Sequence, residues 1–222
     1  MCFSAESSMI SFLIGVIGSI LCISLNSPID KILGYFMGFV SCMQGLDYLL
    51  WTHLICDGYN RFISIIAMVF NHLQPIILGI ILLVINTKIS SINKKAIVLV
   101  MAIYLCVIIP YSLQFIRNKK DQCTLKTKQK GDIHDVFLLW NWNNMLQYTT
   151  VYTIFIITLS LLFILGMPTI KYGIYGCIIL SFTYIMSSIF YQNELVGQMW
   201  CYYVVGLPLL WYTGRRILYS KN

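Results

Sequence analysis

The sequence predicts an all-α fold, a polytopic membrane bundle of seven transmembrane helices in a single domain over residues 1–222. Three observations carry this reading. Of the 222 residues, 59% are hydrophobic and 10% charged, against roughly a quarter charged in a soluble domain. The apolar residues fall in blocks near the roughly 20 residues that cross the hydrocarbon core as a helix. The basic residues sit almost wholly between those blocks, where they meet lipid headgroups and set orientation. This last pattern excludes nucleic acid as the natural partner of a chain with net charge +7, and leaves membrane lipid.

In order, the expected spans cover residues 9–25, 32–51, 62–85, 96–115, 144–165, 172–191 and 195–213. The first follows a start with no basic stretch and no small-residue cleavage pattern, and is expected to stay attached as a signal anchor. Short connectors at 26–31 and 166–171 make their flanking helices antiparallel neighbours.

Seven crossings put the two ends of the chain on opposite sides. The C-terminal side carries Lys31, Lys88, Lys94, Lys95, Lys171, Arg215, Arg216 and Lys221 against Asp30. The short segments of the other side carry Arg61 with Glu6, Asp57 and Glu194. Positive-inside bias then expects a cytoplasmic C-terminus and an external or lumenal N-terminus. The long loop 117–135 runs against this bias. It brings Arg117, Lys119, Lys120, Lys126, Lys128 and Lys130 to the N-terminal side, partly balanced by Asp121, Asp132 and Asp135.

Cys22, Cys42, Cys106 and Cys177 fall inside spans and read as small packing residues. Cys56 and Cys123 lie in two loops on the same side, so an oxidising compartment would let them pair; two separate thiols are the other reading. No cysteine or histidine spacing of a zinc ribbon is present.

Polar residues inside spans are the informative ones, because hydrocarbon penalises them unless they find partners. Gln44, Asp47, Tyr48 and Trp51 stand at i, i+3, i+4 and i+7, on one helical face. Asp47 is the acid well inside a span, either a carboxylate hydrogen-bonded across helices or part of a site. The third span contains Asn71, His72, Gln74 and Pro75, and the proline frees a carbonyl one turn earlier. The last span opens with Glu194, Gln198 and Cys201 on one face. Asn141, Asn144, Gln147 and Tyr148 precede the fifth, and Pro110, Tyr111 and Gln114 close the fourth more weakly. Trp51, Trp140, Trp142 and Trp200 suit the alternative role of interfacial anchors.

All these groups approach the N-terminal side of the bilayer, whereas stretches such as 76–85 and 151–165 are almost wholly apolar. The asymmetry predicts a half-membrane pocket open to one side, with Gln44, Asp47, Trp51, Asn71, His72, Gln74, Asn144, Glu194, Gln198 and Cys201 as candidate lining. A through-channel would need polar faces along the full length.

Three short motifs carry a resemblance: Met1–Ala5 (Met-Cys-Phe-Ser-Ala), Gln44-x-x-Asp47-x-x-x-Trp51, and Gly197-Gln198-Met199-Trp200-Cys201-Tyr202. Together they resemble an uncharacterised family of multi-pass membrane proteins of bacteria and giant viruses. The resemblance is thin but spans the chain. It implies a fold and a topology and no activity. That pattern usually has glutamate where Asp47 stands, one methylene longer, which weakens any role needing a fixed carboxylate reach.

The pocket therefore suggests a protein that binds a small ligand. The alternative is a metal-assisted intramembrane enzyme using Asp47, His72 and Cys201 or Cys2, residue types that ligate transition metals. The histidines His53, His72 and His134 show no ligand spacing among themselves. A secondary transporter would carry an internal repeat, and none is evident. A retinal protein would need a lysine in the span at 195–213, which has none. No cofactor is indicated.

Overall fold

In the structure, a computed structural model, residues 4–118, 122–128, 136–191 and 195–219 are described. The apolar blocks become long helices: α1 (Ala5–Ser24), α2 (Pro28–Thr52), α3 (Gly58–Ile85), α4 (Ser91–Arg117), α5 (Tyr148–Gly166) and α6 (Ile170–Phe190). Side-chain caps start three of them. Ser4 accepts from the Ser7 N–H, Asp57 from Asn60 and Ser90 from Asn93, each satisfying one of the amides a helix start leaves open. Pro28 opens α2, where a missing N–H costs nothing. Asn26 makes the turn between α1 and α2 with φ of 62°, a conformation asparagine tolerates better than most side chains.

Among the described residues, α1, α3, α4, α5 and α6 are each long and apolar enough to cross a membrane. Helix α2 is also long, at 25 residues, but Gln44 and Asp47 dilute its hydropathy.

Three expectations need correction. The span expected over 195–213 is two helices, α7 (Val196–Val204) and α8 (Leu207–Tyr219), with a turn at Val205 and Gly206. Pro208 explains the break: it has no N–H for the carbonyl four residues back, and its ring clashes there. Helix α5 starts at Tyr148, because Asn141–Asn144 form a 3₁₀ turn and Gln147 takes φ of 87°. The long loop contains a hairpin, β1 (Leu125–Lys128) antiparallel to β2 (Val136–Leu139), with Leu125 opposite Leu139. The bundle is all-α, with this small sheet added at its N-terminal-side end.

Helix α1 lies along α2 and also meets α8. Small residues make the close approach possible: a Cβ on Gly18 would stand 2.7 Å from the Leu209 backbone nitrogen. Helix α5 packs on α3, α4 and α6, and α7 on α2 and α6. The core between them buries Phe36, Met43, Met68, Phe155 and Trp200.

Helix α2 is held at both ends by aspartates that accept indole hydrogen bonds. At the C-terminal-side end the Trp211 Nε1–H donates to Asp30 Oδ1 at 2.7 Å, and Arg215 Nη2 lies 3.3 Å from Asp30 Oδ2. At the other end the Trp140 Nε1–H donates to Asp47 Oδ1 at 2.8 Å. Both carboxylates are fully buried.

Candidate functional site

The cover over the N-terminal-side end is built from local chemistry. Cys56 and Cys123 form a disulfide that ties the loop before α3 to the segment before β1. Beside it, Asn60 treats Thr124 as a strand neighbour. Its Nδ2 donates to Thr124 O at 3.2 Å, and its Oδ1 accepts the Thr124 N–H at 3.0 Å. Ser64 and Thr124 hydroxyls bond at 2.9 Å, and Asn141 Nδ2 donates to Cys123 O at 2.6 Å. Lys126 places its ammonium 5.6 Å from the Trp51 ring centroid.

The connector after β2 then drops two tryptophans into the bundle. Trp140 and Trp142 stack at 4.8 Å and are completely buried. Trp140 reaches Asp47, while the Trp142 carbonyl accepts from the Tyr111 hydroxyl. The polar face expected to open toward the N-terminal side is therefore covered by Trp140 and Trp142. Trp140, Trp142 and Trp200 are interior residues, not interfacial anchors, since each finds burial beside polar partners or other rings. Trp51 is half-buried at the rim.

Beneath the two tryptophans lies a cluster of buried polar side chains. Asn71 Nδ2 donates to the Tyr152 hydroxyl at 2.8 Å, which in turn donates to Asn143 Oδ1 at 3.1 Å. The Cys201 thiol stands between Asn71 Oδ1 and Gln74 Nε2, at 3.9 Å from each. Asp47 is close enough to Cys201 to act on it electrostatically. Gln198, one turn before Cys201 on α7, is fully buried. Gln44, one turn from Asp47 on the same face of α2, is fully buried and neither atom of its amide has a hydrogen-bond partner. Gln74 Oε1 is also unpartnered. Gly197 makes room for this arrangement, because a Cβ there would stand 2.4 Å from the Tyr152 ring.

No family model, curated protein or solved structure matches the chain. The resemblance drawn from three short motifs thus stands on those residues alone.

The structure brings together Asp47, Asn71, Gln74 and Cys201, buries Gln44 and Gln198 one turn from Asp47 and Cys201 on their own helices, and leaves His72 and Asn144 apart. His72 is two residues from Gln74 and so faces another way. Its Nδ1 pairs with the Ser112 hydroxyl at 2.9 Å, and its ring meets Tyr111 edge-on. Its carbonyl, in the turn that Pro75 disturbs, accepts from the Tyr104 hydroxyl at 2.9 Å. Asn144 is exposed, donates to Asn141, and lines a surface cleft of about 430 Å³ with Gln114 and Asn118. Glu194 and Cys2 lie outside the described residues. Among the described residues no three His, Cys, Asp or Glu side chains converge to hold a metal ion, and His72 is turned away from Asp47 and Cys201.

Sequence reasoning missed Tyr152, Asn143 and the role of Trp140 as a lid. Tyr152 stands one turn beyond Tyr148 within the apolar run, and only the facing Gly197 hinted at a bulky polar ring. The Trp140–Asp47 pairing spans 93 residues and has no local signature.

Proposed function

We propose that the protein is a seven-crossing membrane protein that holds a small, positively charged ligand in the capped polar cluster beside Asp47. In this reading α1 to α6 cross once each and α7 with α8 form a broken seventh crossing, giving a cytoplasmic C-terminus. The disulfide supports that orientation, because Cys56 and Cys123 are both on the hairpin side and disulfides persist in oxidising compartments. The lysine-rich turns lie on the opposite side.

The observation that carries the ligand reading is the unmet bonding capacity of Gln44 and Gln74 next to a buried carboxylate. Unmade hydrogen bonds in a low-dielectric interior cost about 1–3 kcal/mol each, and a bound polar species is one way in which such a group is satisfied. The acceptors there are Gln44 Oε1, Gln74 Oε1 and the Asp47 carboxylate, the last the one formal charge of the cluster, beside the donors Gln44 Nε2 and Trp142 Nε1. Among the described residues Asp30 and Asp47 are the buried charged side chains, so the protein's own cations stay outside. A ligand that donates hydrogen bonds and carries positive charge complements such a lining.

The test is thermal unfolding of the purified protein against sodium, potassium, ammonium, methylammonium and guanidinium at constant ionic strength. The expected result is a saturable rise in Tm with one of these cations that is lost in Asp47→Asn and reduced in Gln44→Leu. No response to any cation, together with a higher Tm for Gln44→Leu, would overturn the reading and leave a purely structural polar network.

A further inference from the structure

The break between α7 and α8 has a second effect, at the opposite end of the bundle and independent of the polar cluster. Helix α7 stays against α2 and α6, while α8 turns toward α1. There Gly18 admits the Leu209 backbone and the Cys22 thiol bonds the Pro208 carbonyl at 3.0 Å. The turn parts α8 from α6 and leaves a cavity of about 270 Å³ between them. Phe36, Val40, Phe163, Leu180 and Val204 are among its walls, and the lining is almost wholly apolar. Its outer edge is exposed at Tyr175, Ile179 and Leu210, on the flank of a helix apolar enough to face lipid.

The rim differs from the walls. Tyr172 of α6 meets Trp211 of α8 edge-on at 5.9 Å. Lys171 places its ammonium 5.7 Å from the Tyr175 ring, and the Arg215 guanidinium lies 5.9 Å from the Trp211 ring. Asp30 fixes both Trp211 and Arg215 by hydrogen bonds. Lys31, Lys171, Arg215 and Arg216 all belong to this end of the bundle, with Asp30 as their acidic neighbour, and Asp30 is already engaged. The result is an apolar slot opening sideways, edged by aromatic rings, with excess positive charge at its C-terminal-side end.

We infer that the slot between α6 and α8 binds an acyl chain of an anionic phospholipid from the leaflet on the C-terminal side. The volume lies near the lower end of the roughly 300–1,000 Å³ of drug-sized pockets, and an apolar slot open along one flank suits a flexible chain. The aromatic rim matches the preference of Trp and Tyr for the headgroup boundary. The cations select a phosphate that has no second positive charge beside it.

Fluorescence quenching tests this directly, because Trp200 and Trp211 line the cavity. The full chain is reconstituted in phosphatidylcholine bilayers containing a low mole fraction of lipid brominated on its acyl chains. This lipid is either phosphatidylglycerol or phosphatidylcholine. Brominated phosphatidylglycerol is expected to be enriched at the tryptophans roughly fivefold over brominated phosphatidylcholine, the equivalent of one basic residue's attraction at a membrane surface. Lys171→Glu should erase the difference, and Ile179→Phe should reduce quenching by both lipids. Equal quenching by the two lipids in the unaltered protein would overturn the inference. So would a preference that survives Lys171→Glu, or quenching that Ile179→Phe leaves unchanged. Soluble inorganic phosphate should not compete; if it restored the fluorescence, the site would be one for a free anion.

Discussion

Asp57 shows how much one side chain can do at a helix start. Its Oδ1 accepts the Asn60 N–H at 3.0 Å, and its Oδ2 lies 2.7 Å from His53 Nε2. The Asn60 amide first, and the His53 ring second, hold its carboxyl below the usual carboxylate range. A depressed carboxylate stabilises the fold above its unfolded pKa near about 4, and that contribution is lost as pH falls through the lower folded value. Asp57→Asn should therefore lower Tm on the neutral plateau and flatten the acid limb of a Tm-against-pH curve, so that the two proteins converge as pH falls. Inside the bundle, Gly197→Ala should force the Tyr152 ring aside and cost about 1–3 kcal/mol, read as a drop in Tm. Trp140→Phe leaves Asp47 without its indole donor, an expected loss of about 1–3 kcal/mol. Asp47→Asn in the same background should recover part of it, which a double-mutant cycle measures.

At the scale of elements, the disulfide and the Asn60–Thr124 pairing act as one clasp. The disulfide closes a loop with a sequence separation of 67, for which chain entropy gives about 4 kcal/mol as a ceiling. Helices that persist in an unfolded membrane protein will lower that figure. Reduction, or Cys123→Ser, should loosen the hairpin before it unfolds the bundle, seen as new protease cleavage between β1 and β2 at unchanged helicity. The helices themselves were legible because each apolar block approaches the length of a membrane crossing. The small sheet was not: Leu125–Lys128 is too short and too basic to announce a strand alone, and it acquires its partner only across the loop. The α7–α8 break was legible in principle at Pro208, but the unbroken apolar run around it outweighed the local signal.

The whole molecule has two unlike ends. One is a covered cluster of polar side chains, the other a sideways apolar slot with a basic rim. The polar half was legible from Gln44, Asp47, Asn71, Gln74, Gln198 and Cys201, because residues three or four apart declare a shared helical face. Its lid was not, since nothing local to Trp140 or Trp142 indicates that an aromatic loop residue turns inward. An apolar slot is still harder to read, because leucines and phenylalanines that line a gap look the same as those that fill one. If the proposed orientation is right, an impermeant protease added to intact cells should cut near the hairpin after reduction and leave the C-terminal end protected; cleavage at the C-terminal end would reverse the topology.

The two aspartates of α2 also impose an order on synthesis. They are 17 residues apart, about 25 Å along the helix, and each waits for a tryptophan made much later, 93 residues on for Asp47 and 181 residues on for Asp30. Until α8 leaves the ribosome, the inserted helix carries a carboxylate with its partner still unwritten. We predict that nascent chains stopped before α8 remain associated with the insertion machinery or are degraded, and that Asp30→Asn relieves this retention. Pulse-chase of stalled chains of graded length would follow it. Helix α8 would then act as the signal that the buried carboxylate of Asp30 has found its partner.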